Sequence, residues 1–141
     1  MRAVETPFFW FSEPINSAPR PWKHFRIDGL MVNAYEILGT RSAHARIVEK
    51  GIHSYMEFKG PILMDSGGFL FMRENVLKVD PRVIVKLYED SRPDFGVVLD
   101  HPLDVGLTAY ERRKRQLTTL RNTRRMFHAR TTSNPTLVPV I

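Results

Sequence analysis

The 141 residues contain no cysteine. Disulfides and Cys-ligated zinc are thereby excluded within this chain, and the absence fits a reducing, cytoplasmic setting. No apolar run approaches the roughly 20 residues needed to span a bilayer, so no membrane partner is expected. The N-terminus, MRAVETPFFWFSEP, meets Glu5 and Pro7 before any long apolar stretch, which argues against a signal peptide. Neither Gly-x-x-x-x-Gly-Lys nor Gly-x-Gly-x-x-Gly occurs, so no nucleotide cofactor is indicated. Acids are missing from Arg112 to Arg130, a span that carries seven arginines and Lys114.

What is present suits one globular domain. Hydrophobic residues make up 43% and charged residues 26%, enough to fill a core. The formal charge of +6 favours anionic partners, nucleic acid first. Within the Arg-rich span, Arg112, Arg113, Arg121, Arg124 and Arg125 are the candidate nucleic-acid contacts. A solvated helix face is the competing reading of the same residues.

The first 29 residues are rich in Pro and aromatics and read as an extended N-terminal arm, with residues 30–141 as the domain proper. Leu30–Ala34 is a short strand candidate, and Tyr35–Lys50 has helical spacing with Gly51 as its stop. Pro61–Met64 is the next strand. Asp80-Pro81 is a helix start, with Val83, Ile84, Leu87 and Tyr88 as its apolar stripe. Asp94–Leu99 is a third strand, delivering Asp100-His101-Pro102. Thr108 and Glu111 fit a capping box, and Tyr110, Leu117, Leu120 and Phe127 mark the expected buried stripe of a long helix. Thr136–Ile141 reads as a last strand.

Strands alternating with helices imply parallel pairing with right-handed crossovers. Asp65 and Asp100 each follow a strand, where barrel enzymes place their chemistry. A complete barrel needs at least about 200 residues, so the expected fold is α/β: about the first half of a (β/α)8 TIM barrel.

The stretch Met64-Asp65-Ser66-Gly67-Gly68-Phe69 allows several readings. Asp-Ser-Gly-Gly surrounds the nucleophile of trypsin-like proteases, with His24, His44 and His53 available as bases. Met64 and Phe69 do not fit that motif's flanks, and the fold is wrong. A phosphate loop would suffer from the charge of Asp65. In a base-binding site, Gly67 and Gly68 admit a flat ligand, Phe69 stacks on it, and Asp65 and Asp100 meet its N–H edge. A tight turn with Asp65 capping the backbone explains the same residues. His101 beside Asp100 invites a metal or proton-relay reading, but Asp100 and Asp104 have no recognised ligand spacing, so His101 reads as a loop histidine positioned by Pro102 and no metal is expected here.

Pro61 to Phe69 resembles the Asp-Ser-Gly-Gly-Phe signature of the tRNA-guanine transglycosylases, the queuine and archaeosine tRNA-ribosyltransferase superfamily. The resemblance extends to Asp94–Asp100, to the helix ending Arg124-Arg125-Met126-Phe127, and to Leu137–Ile141. It covers the N-terminal portion of a typical member, a (β/α)8-barrel pentosyltransferase that exchanges guanine for a 7-deazaguanine. It implies Asp65 as general acid/base, Phe69 as the stacking aromatic, Asp100 as the base-reading carboxylate, and Ser66, Gly67 and Gly68 as the pocket floor. The family's nucleophilic Asp lies far downstream and has no counterpart here, so the isolated chain is expected to be inactive. The family's structural zinc would bind downstream of Ile141, leaving no cofactor in this chain. Implied partners are tRNA or DNA, a guanine or 7-deazaguanine base, and a complementing C-terminal half or a second copy. Leu70 stands where tRNA-acting members commonly carry Gln, and His101-Pro102 where they carry Glu-Cys. These departures leave open the superfamily's DNA-acting branch. A non-catalytic α/β module, binding RNA or DNA through the Arg-rich helix over 108–130, is the alternative.

Overall fold

Burial alternates with period two along the strands, and the alternation defines two unlike faces. In the computed structural model, residues 8–73 and 79–140 are described; the arm's first seven residues and the last residue of the expected final strand lie outside them. Five strands form one all-parallel sheet in chain order: β1 (Trp10–Ser12), β2 (Gly29–Asn33), β3 (Ile62–Asp65), β4 (Phe95–Val97) and β5 (Thr136–Val138). Leu30, Val32, Ile62, Met64 and Leu137 point to one face and are buried under the helices. Met31, Leu63, Phe95 and Thr136 lie in one register row on the other face and are only half-buried.

That second face is concave. Trp10 of β1 and Phe95 of β4 meet edge to face, their ring centroids 5.9 Å apart. In a flat sheet these strands would lie about 14 Å apart. The sheet therefore curls as a barrel wall does, without closing; the architecture is an α/β sector of a (β/α) barrel. Among the described residues, β5 has a partner only on its β4 side.

The segment expected as an arm contributes the edge strand β1, paired in register with Gly29–Met31. It then descends over the outside through a 3-10 turn at Pro21–Lys23. Trp22 Nε1 donates to the Met56 carbonyl at 3.0 Å, and Arg20 pairs with Glu57 at 3.0 Å. The Pro and aromatic content thus serves an arm that straps over the outside of the sheet's helices.

Between β2 and β3 lie α1 (Ala34–Gly39), α2 (Arg41–Lys50) and α3 (Ile52–Met56). The single helix expected over 35–50 breaks at Thr40, whose φ of −118° and ψ of 88° leave the helical region. A poor helix former at Gly39 followed by β-branched Thr40 makes the break inexpensive. Gly51, at φ 82°, ends α2 as expected.

After β3 come α4 (Gly68–Arg73) and α5 (Pro81–Ser91). The Asp80 carboxylate accepts from the Arg82 backbone N–H at 3.0 Å, forming the expected cap. The Arg82 side chain also donates to it, and the two contacts hold its carboxyl down at about 2. Ile84, Leu87 and Tyr88 are buried as expected, but Val83 is exposed and Val85 takes its place. Each such buried apolar side chain contributes about 1.5–3 kcal/mol.

The final helix, α6 (Ala109–Ala129), starts at the expected capping box, with Thr108 and Glu111 bonded reciprocally. Its buried face is not the expected one. Tyr110 is 77% exposed and Leu120 57%, with Leu117 and Phe127 also exposed, while Thr119, Asn122 and Met126 are buried. The cause is the chain beyond β4, whose backbone groups have lost their strand partners and need others. Asn122 Nδ2 donates to the Leu99 carbonyl at 3.0 Å. The His101 N–H donates to Thr119 Oγ1 at 2.9 Å, and the Leu99 N–H lies 3.2 Å from Met126 Sδ. Backbone satisfaction, not apolar periodicity, sets this helix's rotation.

Candidate active site at the strand ends

Three adjacent strands end in polar residues at one rim of the sheet. Asn33 closes β2, Asp65 closes β3, and Asp100 follows β4 by three residues. Asn33 and Asp65 are register partners on the concave face, and Asn33 Nδ2 donates to Asp65 Oδ2 at 2.9 Å. The Gly67 N–H donates to the same oxygen at 3.0 Å. Asn33 Oδ1 in turn accepts from the Tyr35 N–H at 2.9 Å and caps α1. Asn33 was not a sequence candidate. The available signal was its place at the end of a strand paired with the strand of Asp65.

The two glycines clear protein, not open space. A Cβ on Gly67, whose φ is 79°, would lie 2.7 Å from Asn33 Oδ1 and 2.6 Å from Tyr35 Cβ. A Cβ on Gly68 would lie 2.5 Å from both the Asp100 carbonyl oxygen and Asp100 Oδ1. The glycines therefore bring the end of β3 against its neighbours on both sides. Ser66 is fully buried, and its hydroxyl donates to the Val98 carbonyl at 3.4 Å, tying the same turn to β4. Phe69, on the first turn of α4, is 62% exposed.

Asp100 feels both burial and the charge of Asp65, and the two push its carboxyl above the usual carboxylate range, burial most. A group raised in the folded state adds stability below its unfolded value and loses it as pH rises through the folded one. Asp100→Asn is therefore expected to melt at a higher temperature than the native chain at pH 7. The gap should close as pH falls through the raised value at which native Asp100 takes up its proton. Parallel thermal melts across that range check the sign; a gap that widens toward acid would contradict it.

Beside Asp100 opens a cleft of about 640 Å³, lined by His101, Leu103, Arg113, Leu117, Leu120 and Val140 among others. Burial and the Arg115 charge hold the His101 imidazole below its usual value, so it is neutral near pH 7. Arg113 reaches this cleft. Arg112, Arg121, Arg124 and Arg125 are exposed along α6 and do not converge with it. Arg112 donates to the Leu107 carbonyl, and Arg125 lies near enough to Asp80 to lower its carboxyl. Among the described residues no group of three His, Cys, Asp or Glu could hold a metal ion, and no helix is long and apolar enough to cross a membrane.

A curled, all-parallel sheet covered by helices defines the class: a sector of a (β/α)-barrel protein, with Asp65 and Asp100 as its candidate site at the C-terminal rim. Residues 2–141 match the family model described as queuine tRNA-ribosyltransferase, and the chain belongs to that family. It is 33% identical over 84 residues to the tRNA-guanine(15) transglycosylase of Pyrococcus furiosus, covering 60% of this chain and 14% of that protein. It is 33% identical over 104 residues to the enzyme of the same name from Thermococcus onnurineus, covering 72% of this chain and 18% of the relative. For Korarchaeum cryptofilum the identity is 27% over 104 residues, with 74% and 18% covered. The chain thus spans under a fifth of these relatives' length.

Proposed function

We propose that this chain is the base-recognition and proton-handling sector of a transglycosylase that exchanges guanine for a 7-deazaguanine in tRNA. The observation that carries the reading is the pair of interacting carboxylates, Asp65 and Asp100, on the ends of β3 and β4. Breaking a guanine–ribose bond requires the departing base to be protonated and the incoming base to lose a proton. Asp65 handles those protons, Asp100 accepts from the N–H edge of the base, and exposed Phe69 supplies a stacking face. Ser66, Gly67 and Gly68 form the pocket floor and hold the two acids in one frame.

The carboxylate that attacks the ribose lies outside these 141 residues, in the remaining (β/α) units, whether those belong to the same polypeptide or to a second one. The side of β5 away from β4, which has no strand partner among the described residues, and the half-buried concave face are where those units would pack. The chain has no cysteine, and among the described residues no group of three His, Asp or Glu could hold a metal ion, so these residues do not fit the family's structural zinc. Leu70 and His101-Pro102 keep duplex DNA in play as the acceptor.

Labelled-guanine exchange on tRNA and on duplex DNA tests the reading. The probe for the complement is the remainder of the Pyrococcus furiosus relative beyond its matched segment. The chain alone should release no label. The complemented enzyme should exchange on tRNA, and Asp65→Asn should slow that exchange at least about a hundredfold. Robust exchange by the 141 residues alone, or full activity of Asp65→Asn, would overturn it; label in DNA alone would move the acceptor.

A further inference from the structure

Asp65 presents two oxygens, and the protein treats them differently. Oδ2 receives Asn33 Nδ2 at 2.9 Å and the Gly67 N–H at 3.0 Å. Among the described residues no donor is recorded on Oδ1. The amide of Asn33 cannot turn over freely, because its own Oδ1 is occupied by the Tyr35 N–H at the start of α1. With the oxygen fixed toward Tyr35, the NH2 group is left facing β3. The register pairing of Asn33 with Asp65 supplies the distance. Gly67 closes the arrangement from the other side, since a side chain there would strike Asn33 Oδ1.

We propose that Asn33 is a positioning residue that commits Oδ2 of Asp65 to the protein and leaves Oδ1 as the atom offered to a ligand. This rests on the reading of Asp65 as the proton-handling acid. The helix cap serves as the reference: α1 begins at Ala34, so Asn33 transmits the helix start into the orientation of a carboxylate one strand away. A residue at 33 that only capped α1 would need an acceptor oxygen; one that positions Asp65 needs the donor as well.

Two replacements separate these duties. Asn33→Ser and Asn33→Asp both keep an oxygen for the Tyr35 N–H. Serine is too short to reach Asp65, and aspartate sets a second carboxylate against it. The readout is the Asp65 side-chain rotamer, from three-bond Hα–Hβ couplings in the isotopically labelled chain. The native chain should show the limiting couplings of a single rotamer, not the intermediate values of an average over rotamers. Both variants should melt within a few degrees of native, and both should show averaged couplings at Asp65. A single native rotamer in both variants would overturn the proposal, because the Gly67 N–H would then suffice. Loss of order across α1 with averaged couplings everywhere would also overturn it, reducing Asn33 to a cap. Base exchange plays no part in this measurement, so failure of the functional reading in the exchange assay is distinguishable from failure here.

Discussion

Gly68→Ala should destabilise the chain by about 2–3 kcal/mol, lowering its melting temperature by on the order of 10 °C. The new methyl would lie 2.5 Å from the Asp100 carbonyl oxygen, and backbone offers no rotamer in which to retreat. Nor is the Asp100 segment loose. The His101 N–H is held by Thr119, the Leu99 carbonyl by Asn122, and the Pro102 carbonyl by Arg115 at 2.6 Å. Either the first turn of α4 or this whole segment must move. Gly39→Ala is the control: nothing lies within 4 Å of its Cβ, and a helical alanine should add about 0.5–1 kcal/mol. Chemical denaturation of both variants with unchanged slopes would give the comparison. A loss below about 0.5 kcal/mol at Gly68 would show that the β3 turn and the β4 end are not rigidly apposed.

Met126→Ala should cost about 3–5 kcal/mol. The side chain is fully buried in α6, and truncation removes most of its volume from a packed core. It also strips the Leu99 N–H of its sulfur acceptor, adding the penalty of a buried donor left unpaired. Met126→Leu separates the two contributions, restoring volume without the acceptor, and should recover more than half of the loss. Hydrogen exchange at the Leu99 amide is the sharper readout. It should accelerate in both variants, because neither retains the sulfur. Protection at Leu99 in Met126→Leu equal to native would mean that the sulfur contact contributes nothing.

Capping chemistry and the acid-bearing strand ends were legible in the residues themselves. Asp80-Pro81 and Thr108-x-x-Glu111 start helices where their side chains demand, and the caps are local enough to need no tertiary context. Asp65 and Asp100 fall on adjacent strands because parallel β–α alternation puts successive strand ends side by side. What stayed hidden was decided over longer range. The apolar residues of α6 advertise the wrong face, since its rotation answers to carbonyls and amides beyond β4 that no periodicity in the helix encodes. β1 is three residues long inside a Pro-rich stretch, and only pairing with β2 makes it a strand. Asn33 looks like any strand-ending polar residue until the register sets it opposite Asp65. The close approach of Tyr35 and Asp100 to the two glycines is also set by packing between neighbouring strands, which the motif alone does not encode.

Among the described residues β5 is paired on its β4 side alone, and the borders of that strand have one more consequence. An exposed parallel strand edge is a template on which identical molecules can stack into fibres. Here the template is three residues long, Thr136–Val138, and prolines stand at both of its borders, Pro135 and Pro139. Proline carries no amide proton, so neither border can extend the ladder by donating to an incoming strand. Whatever strand lies against that side of β5 therefore meets a ladder of three residues between two prolines.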